Sequence, residues 1–148
     1  MAYQAVVAGA RGLAFFGGHL TQVMRPADAH SGWNWAFWET VLSPLLRELT
    51  STAVAPALVA PAAKLAIKAN AADIDLTARQ AGGFLYLIAV RRGPLTSKVS
   101  FSGLPAGIGA GEVLFEYANQ AFRTITVTAS TLRDWFGPHD AHIYRFAL

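Results

Sequence analysis

The sequence predicts an α+β protein, with an N-terminal helix-strand-helix unit over residues 1–52 followed by a small antiparallel β-sandwich over residues 53–148. Three observations predict it. The first fifty residues carry apolar positions at helical spacing, interrupted by glycines around one short apolar run. An Ala/Pro/Thr-rich stretch, TSTAVAPALVAP at 50–61, then ends the helical period and marks an internal boundary. Beyond it, six runs of mostly alternating apolar and polar residues are separated by Gly, Pro, Asn and Asp turns.

In chain order, Tyr3, Val6, Val7 and Ala10 recur at the spacing of one buried helical face, and Gly9 and Gly12 end that helix. Leu13-Ala-Phe-Phe16, bounded by Gly12 and Gly17-Gly18, suits a strand buried on both faces, as in parallel sheets. Residues 19–33 hold Pro26, Asp28, Ser31 and Gly32 without an apolar period, which predicts a loop of a length commonly associated with function. WAFWETVLSPLLREL at 35–49 predicts an amphipathic helix. Trp35, Trp38, Val41, Leu42, Leu45, Leu46 and Leu49 form its stripe, opposite Glu39, Thr40, Ser43, Arg47 and Glu48. Pro44 either kinks this helix or sits at the first position of a new one capped by Ser43. The strand runs follow at 74–79, 84–90, 97–101, 112–117, 124–128 and 142–146, with no internal repeat.

The chain has 148 residues, a length suited to one domain, of which 53% are hydrophobic and only 14% charged. Surplus apolar surface on a compact chain implies a partner surface, because monomers rarely expose patches above roughly 300 to 600 Å². A homo-oligomer is therefore expected. The longest apolar runs, at 53–63 and 84–90, fall short of the ~20 residues a membrane-crossing helix needs, so no membrane span is expected. The net charge of +3 comes from basic residues scattered singly, apart from Arg91 and Arg92, which argues against nucleic-acid binding. The N-terminus as given shows no secretory signal pattern. Cysteine is absent, so disulfide and thiol chemistry are excluded while the compartment stays open.

The order of elements resembles the C-terminal portion of a (β/α)8-barrel glycoside hydrolase. AYQAVVAGARGLAFFGG resembles the seventh helix and eighth strand of such barrels, and WNWAFWETVLSPLLRELTS the eighth helix. DLTARQAGGFLYLIAVRRGPLTSKVSFSGLP and STLRDWFGPHDAHIYRF resemble the first hairpins and the closing strands of the accessory β-sandwich. The resemblance implies that the catalytic carboxylates, about 5 to 9.5 Å apart in such enzymes, follow barrel strands that would precede Met1. The expected function is then that of a non-catalytic C-terminal fragment, self-associating through the orphan barrel face of Tyr3, Val6, Val7, Leu13, Phe15, Phe16 and the 38–49 stripe. A carbohydrate-binding module is the alternative. A small hydrolase assembled at an oligomer interface, with His19 or His139/His142 as base, is a third reading.

No catalytic residue is assigned. His19 follows the predicted strand's C-terminal end, where a barrel places ligand-binding groups, beside glycines that allow close backbone approach; a solvent-facing loop histidine is the plainer account. Trp33, ahead of the helix, is the candidate sugar platform, because a flat indole stacks on a pyranose ring. Trp35 and Trp38 are expected in the core. Asp134, His139, Asp140 and His142 cluster in sequence but match no metal-binding spacing, so neither a metal nor another cofactor is expected. They read instead as a turn, with Trp135 and Phe136 plugging the end of the sandwich. Glu112 and Glu116 are expected on one strand face about 13 Å apart, too far for a retaining pair. No G-x-S-x-G elbow, P-loop or dinucleotide fingerprint is present.

Overall fold

The computed structural model of the chain describes residues 1–15, 38–118 and 121–148. Among these, eight strands form one antiparallel sheet in the order β1-β4-β7-β6-β5-β8-β3-β2. The strands are β1 (Lys68–Ala69), β2 (Ile74–Ala81), β3 (Phe84–Arg91), β4 (Ser97–Ser102), β5 (Ala110–Ala118), β6 (Ala121–Thr128), β7 (Thr131–Phe136) and β8 (Ala141–Ala147). Six of them overlap the alternating runs in the sequence. β1 and β7 are additions: β1 has two residues, and β7 lies where a turn is expected.

The sheet curls until its two margins approach. Residues 62–69 touch both: Ala62 bridges Arg79 on β2, and Lys68 and Ala69 pair with Ser102 and Phe101 on β4. Inside the curl lies an apolar core in which Leu85, Leu87, Val99, Phe101, Val113, Leu132, Phe136, Tyr144 and Phe146 are fully buried. Phe101 sits 5.9 Å from both Phe136 and Tyr144, ring centre to ring centre, in tilted contacts. Gly103, with φ of +85°, ends β4 where an added Cβ would lie 2.6 Å from the Ala66 carbonyl oxygen, so the crossing of these two segments requires glycine.

A second apolar layer covers part of the sheet's outer surface. It contains α1 (Ala2–Val7), α2 (Ser43–Thr50) and α3 (Ala55–Val59). Tyr3, Val6, Val54 and Ala57 pack with Tyr86, Ile88 and Val90 of β3, Leu114 of β5 and Ile143 of β8. β3 is therefore buried on both sides along nearly its whole length. Arg79, on β2, fastens this layer. Its guanidinium donates to the carbonyls of Leu58 at 2.6 Å, Ala60 at 3.1 Å and Val6 at 3.0 Å, at the C-terminal ends of α3 and α1. Burial lowers the Arg79 pKa, and the charge of Arg11 lowers it further.

The expected helix-strand-helix unit followed by a small sandwich is thus overturned. Residues 13–15 form no ladder, and Phe15 is exposed; Phe16 lies outside the described residues. The doubly buried apolar strand is β3, and α1 and α2 lie with its outer face rather than in a barrel wall. The surface of Tyr3, Val6 and Val7 is not orphaned, because the sheet itself covers it. Trp38 is not in the core. Residues Trp38–Leu42 form a π-helical turn, whose wider winding takes the N-terminal end of the stripe out of line with Leu45 and Leu49. Trp38 and Val41 consequently face outward, 42% and 48% exposed. Pro44 lies in the first turn of α2, where its missing N–H has no intrahelical role, and Ser43 makes no side-chain cap.

Candidate functional site

A β-bulge builds the most chemically loaded part of the molecule. The pairing of β5 with β6 shifts register between Val113 and Tyr117, and Phe115 within the shift has φ of +65°, a left-handed conformation unusual for a bulky residue. The bulge breaks the strand period between Glu112 and Glu116, so the two glutamates serve separate partners. Glu112 accepts from Arg145 Nη2 at 2.6 Å. Glu116 instead meets β6 and β8, accepting from Arg123 Nε at 2.8 Å while its Oε1 stands 2.7 Å from His142 Nδ1.

Asp134 on β7, Arg123 on β6 and His142 on β8 are brought together by the curl of the sheet. Arg123 forks onto Asp134, with Nη2 to Oδ2 at 2.7 Å and Nη1 to Oδ1 at 3.2 Å, and Tyr144 donates its hydroxyl to the same carboxylate at 3.0 Å. The other imidazole nitrogen, Nε2, lies 3.0 Å from Asp140 Oδ2. A neutral imidazole donates through one nitrogen only, whereas an imidazolium donates to both flanking carboxylates. The ring is buried and packs 4.2 Å from Phe136, centre to centre.

Burial and partners set the charges. Burial alone would lower the Arg123 pKa, but its bonds to Asp134 and Glu116 raise it overall. Burial would raise the Asp140 carboxyl, yet donation from His142 and from the Gly137 and Ala141 amides holds it below the usual carboxylate value. The Tyr144 phenol is pushed up by burial and by Asp134. Beside this cluster, Glu116, Asp140 and His142 share a hollow of about 220 Å³ with Tyr3 and Glu48. Tyr3 donates to Glu48 at 3.0 Å; burial raises the Glu48 carboxyl, and this hydrogen bond opposes the rise.

Both sequence candidates for ligand binding, His19 and Trp33, lie outside the described residues, as does Trp35. Of the C-terminal cluster, Asp134, Asp140 and His142 converge, while His139 is exposed on the β7–β8 turn with φ of +54°. Among the described residues, no group of three His, Asp or Glu side chains is placed to hold a metal ion. Phe136 enters the inner core, but Trp135 points outward and is 60% exposed, so it plugs nothing. Arg123 and Tyr144 were not singled out by sequence. A signal existed in the alternation of β6 and β8, which places both on the inward face.

No protein-family model matches the chain, and no curated protein matches it. Solved structures do. A GH30 endoxylanase from Clostridium papyrosolvens C71 is similar at 12% identity and TM-score 0.42, over 53% of this chain and 21% of that one. A family 30 subfamily 8 xylanase from Clostridium acetobutylicum gives 11% identity and TM-score 0.41, over 53% and 21%. An Anoxybacillus alpha-amylase gives 17% and 0.41, over 62% and 19%. The chain thus spans about a fifth of the length of these glycoside hydrolases. No helix among the described residues is long and apolar enough to cross a membrane.

Proposed function

We propose that the chain is a non-catalytic accessory module of a glycoside-hydrolase-like protein. The observation that carries this reading is the engagement of the carboxylates on and beside its strands. Glu112 meets Arg145, Glu116 and Asp134 meet Arg123, Asp140 meets His142, and Asp75 meets Arg92. A glycosidase needs one carboxyl to give up a proton and another to attack or to activate water; pairing with arginine at Glu112, Glu116, Asp134 and Asp75, and the hydrogen bonds that hold the Asp140 carboxyl low, oppose the first role. The charge cluster instead ties β5, β6, β7 and β8 together across the curl. The sequence resemblance of the strand segments to the accessory domains of barrel glycosidases supports the same reading, although the sheet is one curled layer and not a sandwich. Turnover of aryl glycosides should be undetectable with the purified chain. Turnover that disappears in Glu48→Gln or Asp140→Asn would overturn the proposal, since both line the hollow.

Self-association is a second reading, favoured by one observation. Trp38 and Val41 present exposed apolar surface at the end of the amphipathic segment, while Leu45 and Leu49 of α2 are turned toward the sheet. This edge, rather than the covered Tyr3 and Val6 surface, is the contact that remains. Light scattering at micromolar concentration should find a dimer or larger species, and Trp38→Ser with Val41→Ser should return it to a monomer. A monomeric parent protein would remove this reading.

A further inference from the structure

We propose that the outer face of β1, β4 and β7 binds an anionic polysaccharide, with Trp135 as the stacking platform and Lys98, Arg133 and Lys68 as its cations. Strand alternation builds this face. On β7, Leu132, Asp134 and Phe136 point into the curl, so Arg133 and Trp135 point out. The register sets their neighbours: Lys98 stands directly opposite Trp135, Ser100 opposite Arg133, and Ser102 opposite both Thr131 and Lys68. Directly opposed residues in an antiparallel pair share a face at about 5 Å, and second neighbours along a strand lie about 7 Å apart. The indole therefore has one cation beside it across the ladder and another beside it along its own strand.

Three features distinguish this face from an ordinary solvated one. Trp135 is 60% exposed, although elsewhere the sheet buries its large aromatics or packs them against one another. Lys68, Lys98 and Arg133 are exposed and, among the described residues, have no carboxylate in ion-pair range, whereas on β3, β6 and β8 Arg91 and Arg145 each have one and Arg123 has two. The outward-facing paired positions on these strands supply hydroxyls from Ser100, Ser102, Thr131 and Thr128 and no acid, since Asp134 points into the curl. A positive, acid-free surface with an open indole is complementary to a sugar chain carrying carboxylate or sulfate groups. The indole takes the apolar face of a pyranose ring, the cations take the acid groups, and the hydroxyls, which both donate and accept, suit sugar hydroxyls. Nucleic acid would match the charge, but three cations around a single stacking ring give little of the phosphate neutralisation on which its binding depends. This face is separate from the Glu48–His142 hollow, so the proposal stands apart from the catalytic question.

Calorimetric titration of the intact chain with polygalacturonate, chondroitin sulfate, a neutral xylo-oligosaccharide and a single-stranded DNA oligonucleotide tests it. At least one of the two anionic glycans should bind, and which one binds separates carboxylate from sulfate recognition. Trp135→Ala and the pair Lys98→Gln with Arg133→Gln should each weaken that binding at least about tenfold while circular dichroism stays unchanged. Retention of full affinity in either variant, absence of binding to both anionic glycans, or tighter binding of the DNA would overturn the proposal.

Discussion

Two outer faces of the same sheet have opposite fates. On β3, Tyr86, Ile88 and Val90 lie under α1 and the segment around α3, so both sides of the strand are dry. On β7, Arg133 and Trp135 face solvent while their neighbours fill the core. The difference is written in composition. FLYLIAVR leaves no polar side to present to water and needs a second layer, whereas TLRDWF alternates and is complete with one. A covered face makes stability depend on segments distant in the chain; an open face leaves side chains available for recognition.

The largest test of this contrast is Ile88→Ala, which should lower unfolding free energy by about 3 kcal/mol in a denaturant titration, because the site is fully buried and cannot easily collapse. Arg133→Ala on the open face should change it by less than about 0.5 kcal/mol. Equal effects would break the comparison. Arg79→Met should cost about 2 kcal/mol, since carbonyls of α1 and the α3 segment lose a charged donor, and amides of both should exchange faster with deuterium. Gly111→Ala should cost about 1–3 kcal/mol by overpacking, because its Cβ would approach the Arg145 carbonyl oxygen at 2.7 Å and run into the Phe146 ring.

The smallest effects are pH-dependent and have opposite signs at two carboxyls of one hollow. The folded-state pKa of Asp140 is depressed, so its stabilising contribution is full above the unfolded value near 3.9 and is lost as pH falls through the lower folded value. Asp140→Asn should flatten that acid limb. The folded-state pKa of Glu48 is raised, so the folded state holds its proton more tightly and stability declines as pH rises from the unfolded value, near 4.3, through the folded one. Glu48→Gln should remove that decline. Both sites are partly solvent-exposed, and each effect should stay below about 1 kcal/mol.

Most strands were legible because burial on one face imposes a period of two, found where β2, β4, β5, β6 and β8 lie, while β3 shows as a continuous apolar run. The assembly was not. A four-residue apolar run at Leu13 reads like a buried strand, but local composition carries no information about whether a neighbour supplies the ladder. The helical stripe was legible at Leu45 and Leu49 and failed at Trp38, where a π turn changes the winding. The partners of His142 come from β5, β7 and the β7–β8 turn, and the bulge that delivers Glu116 depends on Phe115 adopting a conformation sequence propensity disfavours. Trp135 reads in the sequence as a turn residue plugging the sandwich end, whereas it stands on β7 and faces outward.

The passage of residues 62–69 along both margins of the sheet has a consequence for association between molecules. An uncovered β margin is a template onto which another chain can add, and short or overlaid margins suppress that growth. Here β1 has only two residues, and the β2 margin is met by Ala62 and by the Ala63 amide, which donates to Ala78 at 2.7 Å. One eight-residue stretch thus guards the molecule at both ends against fibrillar polymerisation.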